Sequence, residues 1–253
     1  MATLCLEYAR FLLPKMATAK DIHVAPIKAA DANRLIKRLH YSGKVVPNSQ
    51  MHLGVFLNER LEGAMSFGPS INKKGTMRLV KGTKWNGFIE LNRMAFSERL
   101  PRNSESRAIG IAMRLLRKNY QHLKWVISFA DSTQCGDGTI YRASGFVLTD
   151  IRVSDALRVN PTTGQPMHVI QAHHLKQSKA FRSWLPLKGF QLRYVYFLKP
   201  EVRQNLTCKE IPFSKINEMG AAMYLANKRE KQAMDEHPSS QRRGSTDLHA
   251  PTL

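Results

Sequence analysis

Acidic residues are scarce in this chain. Only 19 Asp and Glu stand against 39 Lys and Arg in 253 residues, a formal net charge of +20 at pH 7. Long apolar runs are missing as well: none approaches the ~20 residues that a membrane-spanning helix needs. The opening stretch MATLCLEYARFLLPKMATAK lacks a secretory layout, because Glu7 and Arg10 interrupt its apolar patches, so a cytosolic protein is expected. Cysteine is rare. Cys5, Cys135 and Cys208 are widely separated and form no CxxC pair, which argues against a zinc site or a disulfide framework and fits free thiols. Internal repeats are absent.

What is present reads as one large domain. Hydrophobic content of 43% and charged content of 23% are ordinary for a globular chain long enough to bury a core. The positive excess lies in the first 200 residues, which hold 31 Lys and Arg against 12 Asp and Glu; from Glu201 onward the count is eight against seven. A folded surface with that surplus attracts a polyphosphate backbone, and nucleic acid is the partner class it fits. The expected organisation is an arm over 1–20, a main domain over 21–200 with basic insertions, a helical extension over 201–235 and a disordered tail over 236–253.

The segment from Gly87 to Gly145 carries the clearest organisation. Phe88–Phe96 reads as a strand, Ser104–Tyr120 as a helix with Ala108, Ala112 and Leu115 beside Ile109, Met113 and Leu116 on its apolar stripe, and Trp125–Ala130 as a buried strand. Before it, Ile22–Ile27 reads as a strand, Asp31 as the cap of a short helix carrying Leu35 and Leu39, and His52–Leu57 with Leu61–Phe67 as a hairpin. The stretch between that hairpin and Phe88 holds five Lys and Arg and no acid, as a phosphate-contacting or a merely solvated loop would. After Gly145, Phe146–Val153 and Leu192–Leu198 read as strands, and Phe213–Met234 as a helix. Between Ser154 and Leu187 the pattern weakens; Phe181 and Trp184 suit either a nucleic-acid surface or core anchors of a helix.

Alternation along Phe88–Phe96 places Glu90, Asn92 and Met94 on one face and Leu91 with Arg93 on the other. An arginine within a strand needs a cleft or a partner, so Arg93 is a candidate to clamp a donor or phosphate, or to pair with Glu90 or Asp131. Cys135 has no adjacent base and reads as a passive thiol.

The element order resembles the GNAT acyltransferase fold, an α/β (α+β) architecture with a mixed central sheet flanked by helices. In that family the loop after the central strand cradles a coenzyme A pyrophosphate. Here ERLPRNSESRAIG takes its place without the interior glycines of Arg/Gln-x-x-Gly-x-Gly/Ala, so it is not a standard cradle. Arg102, Asn103, Ser104 and Ser106 are its candidate donor contacts. Three blocks, LHYSGKVVPNSQMHLGVF, IELNRMAFSERLPRNSESRAIGIAMRL and KWVISFADSTQCGDGTIYRASGF, resemble the Mom family of phage DNA-modification proteins, densely over Arg34–Val147.

That resemblance implies an enzyme of the host cytoplasm that converts adenine in duplex DNA to its N6-carbamoylmethyl form, so that restriction endonucleases refuse the DNA. It implies His40, Tyr41, Asp131 and Tyr141 as the reactive cluster. It also implies acetyl-CoA or another acyl- or glycyl-type donor, and Fe(2+) held by His40, Tyr41 and Asp131. Alternatively, Asp131 is a general base and the tyrosines stack on an extruded adenine. A homodimer is compatible with this reading. Its rivals are an acyltransferase acting on protein or RNA amines and a non-catalytic DNA-binding protein.

Overall fold

The protein is described from a computed structural model, which covers residues 17–132 and 136–221. Residues 1–16 of the expected arm over 1–20, Cys135 and everything from residue 222 onward lie outside the described residues.

One eight-stranded sheet runs through the molecule in the order β1-β2-β3-β4-β5-β8-β6-β7. Its strands are β1 (His23–Pro26), β2 (Met51–Leu57), β3 (Arg60–Gly68), β4 (Phe88–Phe96), β5 (Trp125–Asp131), β6 (Val147–Val159), β7 (Pro166–His168) and β8 (Leu185–Phe197). All neighbours pair antiparallel except β4 and β5, which run parallel. A parallel pair needs a crossover, and the helix α3 (Ser104–Asn119) supplies it. The other helices are α1 (Ala29–Leu39), α2 (Lys73–Met77), α4 (Thr139–Ala143), α5 (Val169–His174), α6 (Ser178–Ser183) and α7 (Ser214–Glu218). The fold is the expected α/β architecture, a mixed sheet with helices on both faces.

The two faces pack differently. On one, α3 presses Ala108, Ile109, Ala112, Met113 and Leu116 into a large cluster with Leu53, Met65, Phe67, Leu91 and Leu192. On the other, α1 lays Ala32, Leu35 and Ile36 over Ala64 and Ala95, while Leu79 and Val80 cover Phe88, Trp125 and Ile127. Trp125 is fully buried and stacks on Phe88 with ring centroids 4.5 Å apart.

Several expectations are corrected in detail. Helix α1 begins at Ala29 after Lys28, so Asp31 is not its cap; it sits in the first turn, where a carboxylate favours the helix dipole, and pairs with Arg34. The β2–β3 turn is Asn58-Glu59, both with positive φ (48° and 62°), as a two-residue hairpin that matches strand twist requires. The helix expected over Phe213–Met234 stops at Glu218, and Gly220 then takes φ 64°. Residues 201–221 pack onto the sheet domain: Leu206 bridges to Val80, Ile211 bridges to Leu148, and Ile216 is buried in the main core. In the weakly patterned region, β6 and β8 form a long hairpin, and Phe181 and Trp184 are buried together with Ala172, so they are core anchors rather than a nucleic-acid surface.

Candidate functional site

Strands β4 and β5 pair only from Phe88–Trp125 to Leu91–Ser128. Beyond that point a bulge intervenes on β4: Ser66 faces Arg93 and the next residue, Phe67, faces Leu91, which leaves Asn92 as an extra residue. The bulge inverts the alternation read from the sequence. Glu90, Arg93 and Ala95 pair with Gly68, Ser66 and Ala64 and share the α1 face, while Leu91 and Met94 share the α3 face. Arg93 is therefore opposite to Leu91, not beside it.

A cavity of about 350 Å³, within the size range of small-molecule sites, opens where the two strands part. Leu39, His40 and Tyr41 reach it from the end of α1, Arg93, Met94 and Phe96 from β4, Phe129 and Ala130 from β5, Glu105 from the first turn of α3, and Gly138, Ile140 and Tyr141 from the start of α4. Three of the four cluster residues, together with Arg93, thus line one space although one hundred residues of chain lie between His40 and Tyr141. Asp131 is the residue after the lining Ala130, pairs across the sheet with Gln191, and acts electrostatically on His168 of β7.

His40 is held in a defined state. Burial, with the Arg93 guanidinium adding to it, pushes its pKa down to about 4, so the ring is neutral at pH 7. The Ser42 N–H donates to Nδ1 at 3.1 Å, and an N–H can only donate, so the neutral ring carries its proton on Nε2. That makes His40 a hydrogen-bond donor toward a ligand. Tyr41 packs against it in a tilted pair, 4.3 Å between centroids with the ring planes 32° apart, and is half exposed. Arg93 Nε donates to the Lys44 carbonyl (3.1 Å) and Nη1 to that of Asn92 (2.7 Å), tying the loop after α1 to the bulge. Exchanging Arg93 for glutamine should move the His40 titration part of the way from about 4 toward its ordinary value, because burial remains the larger cause. Ring-proton NMR would read this, and a His40 titration unmoved by the exchange would remove Arg93 from the account.

Tyr141 is buried, stacks on Tyr194 at 4.8 Å and lies 2.9 Å from Ser128 Oγ. Ser128 Oγ is also 3.0 Å from the Leu91 carbonyl, which can only accept. The serine proton therefore goes to Leu91, and the Tyr141 hydroxyl donates to the serine. Tyr141 stitches the point where the strands part. At His168, burial lowers the pKa; Asp131 opposes this and Lys44 adds to it. Glu90 is pushed up by burial, against a 2.5 Å hydrogen bond from Ser70 and the charge of Arg93.

The remaining candidates do not form a pyrophosphate cradle. Asn103 is a left-handed N-cap without a side-chain cap bond, and Arg102 is exposed. Ser106 spends its hydroxyl on the Asn103 carbonyl (3.2 Å). Ser104 is fully buried, its Oγ without a hydrogen-bond partner. No glycine within the loop before α3 allows close approach, and the Glu105 carboxylate in the cavity wall opposes a polyanion. A small donor suits the cavity better than a coenzyme A pyrophosphate. Of the iron set, His40 and Tyr41 line the cavity and Asp131 follows the lining Ala130; Ser42 engages His40 Nδ1, so a metal would meet the ring at Nε2.

Glu105, Phe129 and His168 escaped sequence reading. Glu105 looked like an ordinary first-turn acid and Phe129 like core. His168 reaches Asp131 only because β7 closes the edge of the β6–β8 hairpin, which no local signal announces.

Among solved structures, the ribosomal-protein-S18-alanine N-acetyltransferase of Escherichia coli is 9% identical, covers 70% of this chain and 94% of its own, and has a TM-score of 0.42. The spermidine/spermine N-acetyltransferase of Vibrio cholerae is 11% identical, covers 74% and 99%, and has a TM-score of 0.44. A Bacillus subtilis acetyltransferase in complex with CoA is 10% identical, covers 70% and 97%, and has a TM-score of 0.42. In sequence, the methylcarbamoylase Mom of Escherichia phage Mu is 34% identical over 200 residues, which are 76% of this chain and 81% of that one. The profile described as the Mom protein family matches residues 21–215, and the chain belongs to that family.

Proposed function

We propose that the protein is a phage DNA-modifying transferase that places a carbamoylmethyl group on N6 of adenine in duplex DNA, in the host cytoplasm, and so shields the DNA from restriction endonucleases. The observation that carries this reading is the shared cavity of His40, Tyr41, Arg93 and Tyr141 at the parting of β4 and β5, in a chain 34% identical to a methylcarbamoylase. The strong positive charge of the first 200 residues supports a DNA substrate.

The chemistry sets clear demands. N6 is bonded into a base pair and stacked, so the base must be extruded at a cost of a few kcal/mol. Its lone pair is delocalised into the ring, which makes it a weak nucleophile. The product joins nitrogen to a methylene carbon, so N6 attacks that carbon, loses one proton, and a leaving group departs from the donor with the electron pair. Tyr41 offers a stacking face for the extruded adenine, and the His40 Nε2–H orients an acceptor on base or donor. Asp131, a carboxylate at the edge of the cavity, is the group best suited to take the N6 proton.

Nucleoside mass spectrometry of plasmid DNA from expressing cells tests this. A deoxyadenosine heavier by one carbamoylmethyl group is expected. Wholly unmodified deoxyadenosine in the presence of soluble, folded protein would overturn the reading.

A further inference from the structure

A second and larger cleft, about 510 Å³, lies on the α1 face of the sheet beside the candidate active site. Its floor is Ile127 and Phe129 of β5 with Gln191 of β8, and arginines 78, 152 and 193 stand around it. Phe129 lines both spaces, and Asp131 stands between them: Ala130 before it lines the first, and Gln191, its partner across the sheet, lines the second. We infer that this cleft receives the nucleotide next to the target adenine, with its phosphate on Arg78 and Arg152 and its base against Phe129 and Gln191. The inference rests on DNA being the substrate.

The charges are arranged for an incoming anion. Asp150 is the acid in the lining, and it faces two arginines, Arg152 Nη2 at 3.3 Å and Arg193 Nη1 at 3.6 Å. Arg193 is fixed from behind by Thr149, to its Oγ1 at 3.0 Å and its carbonyl at 3.1 Å, and so answers Asp150 permanently. The Arg152 side chain is 71% exposed, and a pair that open is weak enough for a phosphate to compete for it. Arg78 is exposed on the opposite rim, with no ion pair among the described residues. Two arginines across an apolar floor suit a phosphate attached to a planar base.

The approach favours DNA over a small donor. The outer wall belongs to the stretch from Gly68 to Gly87, which carries five Lys and Arg and no acid. Ile71 on that stretch is 95% exposed, and the Lys73 ammonium lies 4.4 Å from the exposed Trp85 ring. A strand whose base occupies the first cavity must continue past Phe129, and the second cleft is the space it meets there.

The test is duplex-oligonucleotide affinity as a function of salt for the full-length protein and for Arg78→Ala, Arg152→Ala and their combination. Both arginines are exposed, so the variants should fold, which circular dichroism would verify. Each loss should weaken binding about tenfold near 0.1 M salt, and the double variant should flatten log K against log salt by roughly 1.8. Gln191→Ala should change which sequence contexts are modified. Unchanged affinity, salt slope and context would overturn the assignment, as would a defect confined to the Michaelis constant of the donor. If the wild-type protein binds duplex DNA but modifies nothing, the proposed chemistry fails while the binding series still decides the cleft. If it binds no duplex DNA, both fall.

Discussion

Replacing His40 with alanine should lower DNA modification about a hundredfold, the scale of losing one positioned donor or proton-transfer group. The reason is the state in which the fold holds this ring. Burial and Arg93 keep it neutral, and the Ser42 N–H occupies Nδ1, which leaves the Nε2–H to face a ligand. Glutamine at position 40 carries an amide N–H near the place of Nε2 and should recover part of the loss. If His40 instead acts as a base through a different tautomer, glutamine will be as inactive as alanine. The pH dependence gives a second check. The pKa of His40 in the folded protein, about 4, lies below its ordinary 6.5, so between these values the unfolded chain binds more protons. The His40 contribution to stability is complete above pH 6.5 and is lost as the pH falls toward 4. Its acid limb in activity should also sit near 4; a limb near 6.5 that disappears in the glutamine variant would contradict the burial argument.

The second large effect is expected at Gly138. This residue caps α4 with φ 71°, a conformation that L side chains adopt at a cost of about 1–2 kcal/mol. A Cβ there would also run into the Tyr194 ring, including Cζ at 2.5 Å. That ring cannot retreat easily, because it is fully buried, stacked on Tyr141, and donates its hydroxyl proton to the Asp137 carbonyl at 2.6 Å. Overpacking of this kind adds about 1–3 kcal/mol. Gly138→Ala should therefore destabilise the protein by about 3 kcal/mol, a fall in Tm of roughly 6–12 °C for a domain of this size. A double-mutant cycle with Tyr194→Ala separates the causes: relief of the clash appears as coupling, and backbone strain is what remains. Strict additivity would show that the ring is not the obstacle.

Much of the architecture was legible from the chain because its local signals agree. Phe88–Phe96 is a strand with those bounds, and the stripe through Ala108, Ile109, Ala112, Met113 and Leu116 forms the buried face of α3. The face of Arg93 was not legible. A bulge is a property of two strands together, and the extra residue Asn92 shows only against Ser66 and Phe67 of β3. The long β6–β8 hairpin was missed for a related reason: Ser154–Leu187 has little periodicity of its own, and its order comes from cross-strand pairing and a small core around Trp184. Similarity of sequence blocks brought His40, Tyr41 and Tyr141 forward as candidates, but their meeting in one cavity is a fact of topology. The states of single atoms, His40 Nδ1 held by Ser42 and the buried Ser104 hydroxyl, are likewise set by surroundings that no linear pattern specifies.

The one-residue bulge at Asn92 also divides the labour of β4. Ahead of it, Phe88 is buried against Trp125 and lies outside the cavity lining, so changes there are read mainly as melting temperature. Behind it, Arg93, Met94 and Phe96 line the cavity, and changes there are read mainly as catalysis. A single strand thus offers two nearly separate mutational channels. Deleting Asn92 would leave Arg93 opposite Ser66 on the α1 face and remove only the bulge, and with it the local bend of β4 beside the cavity.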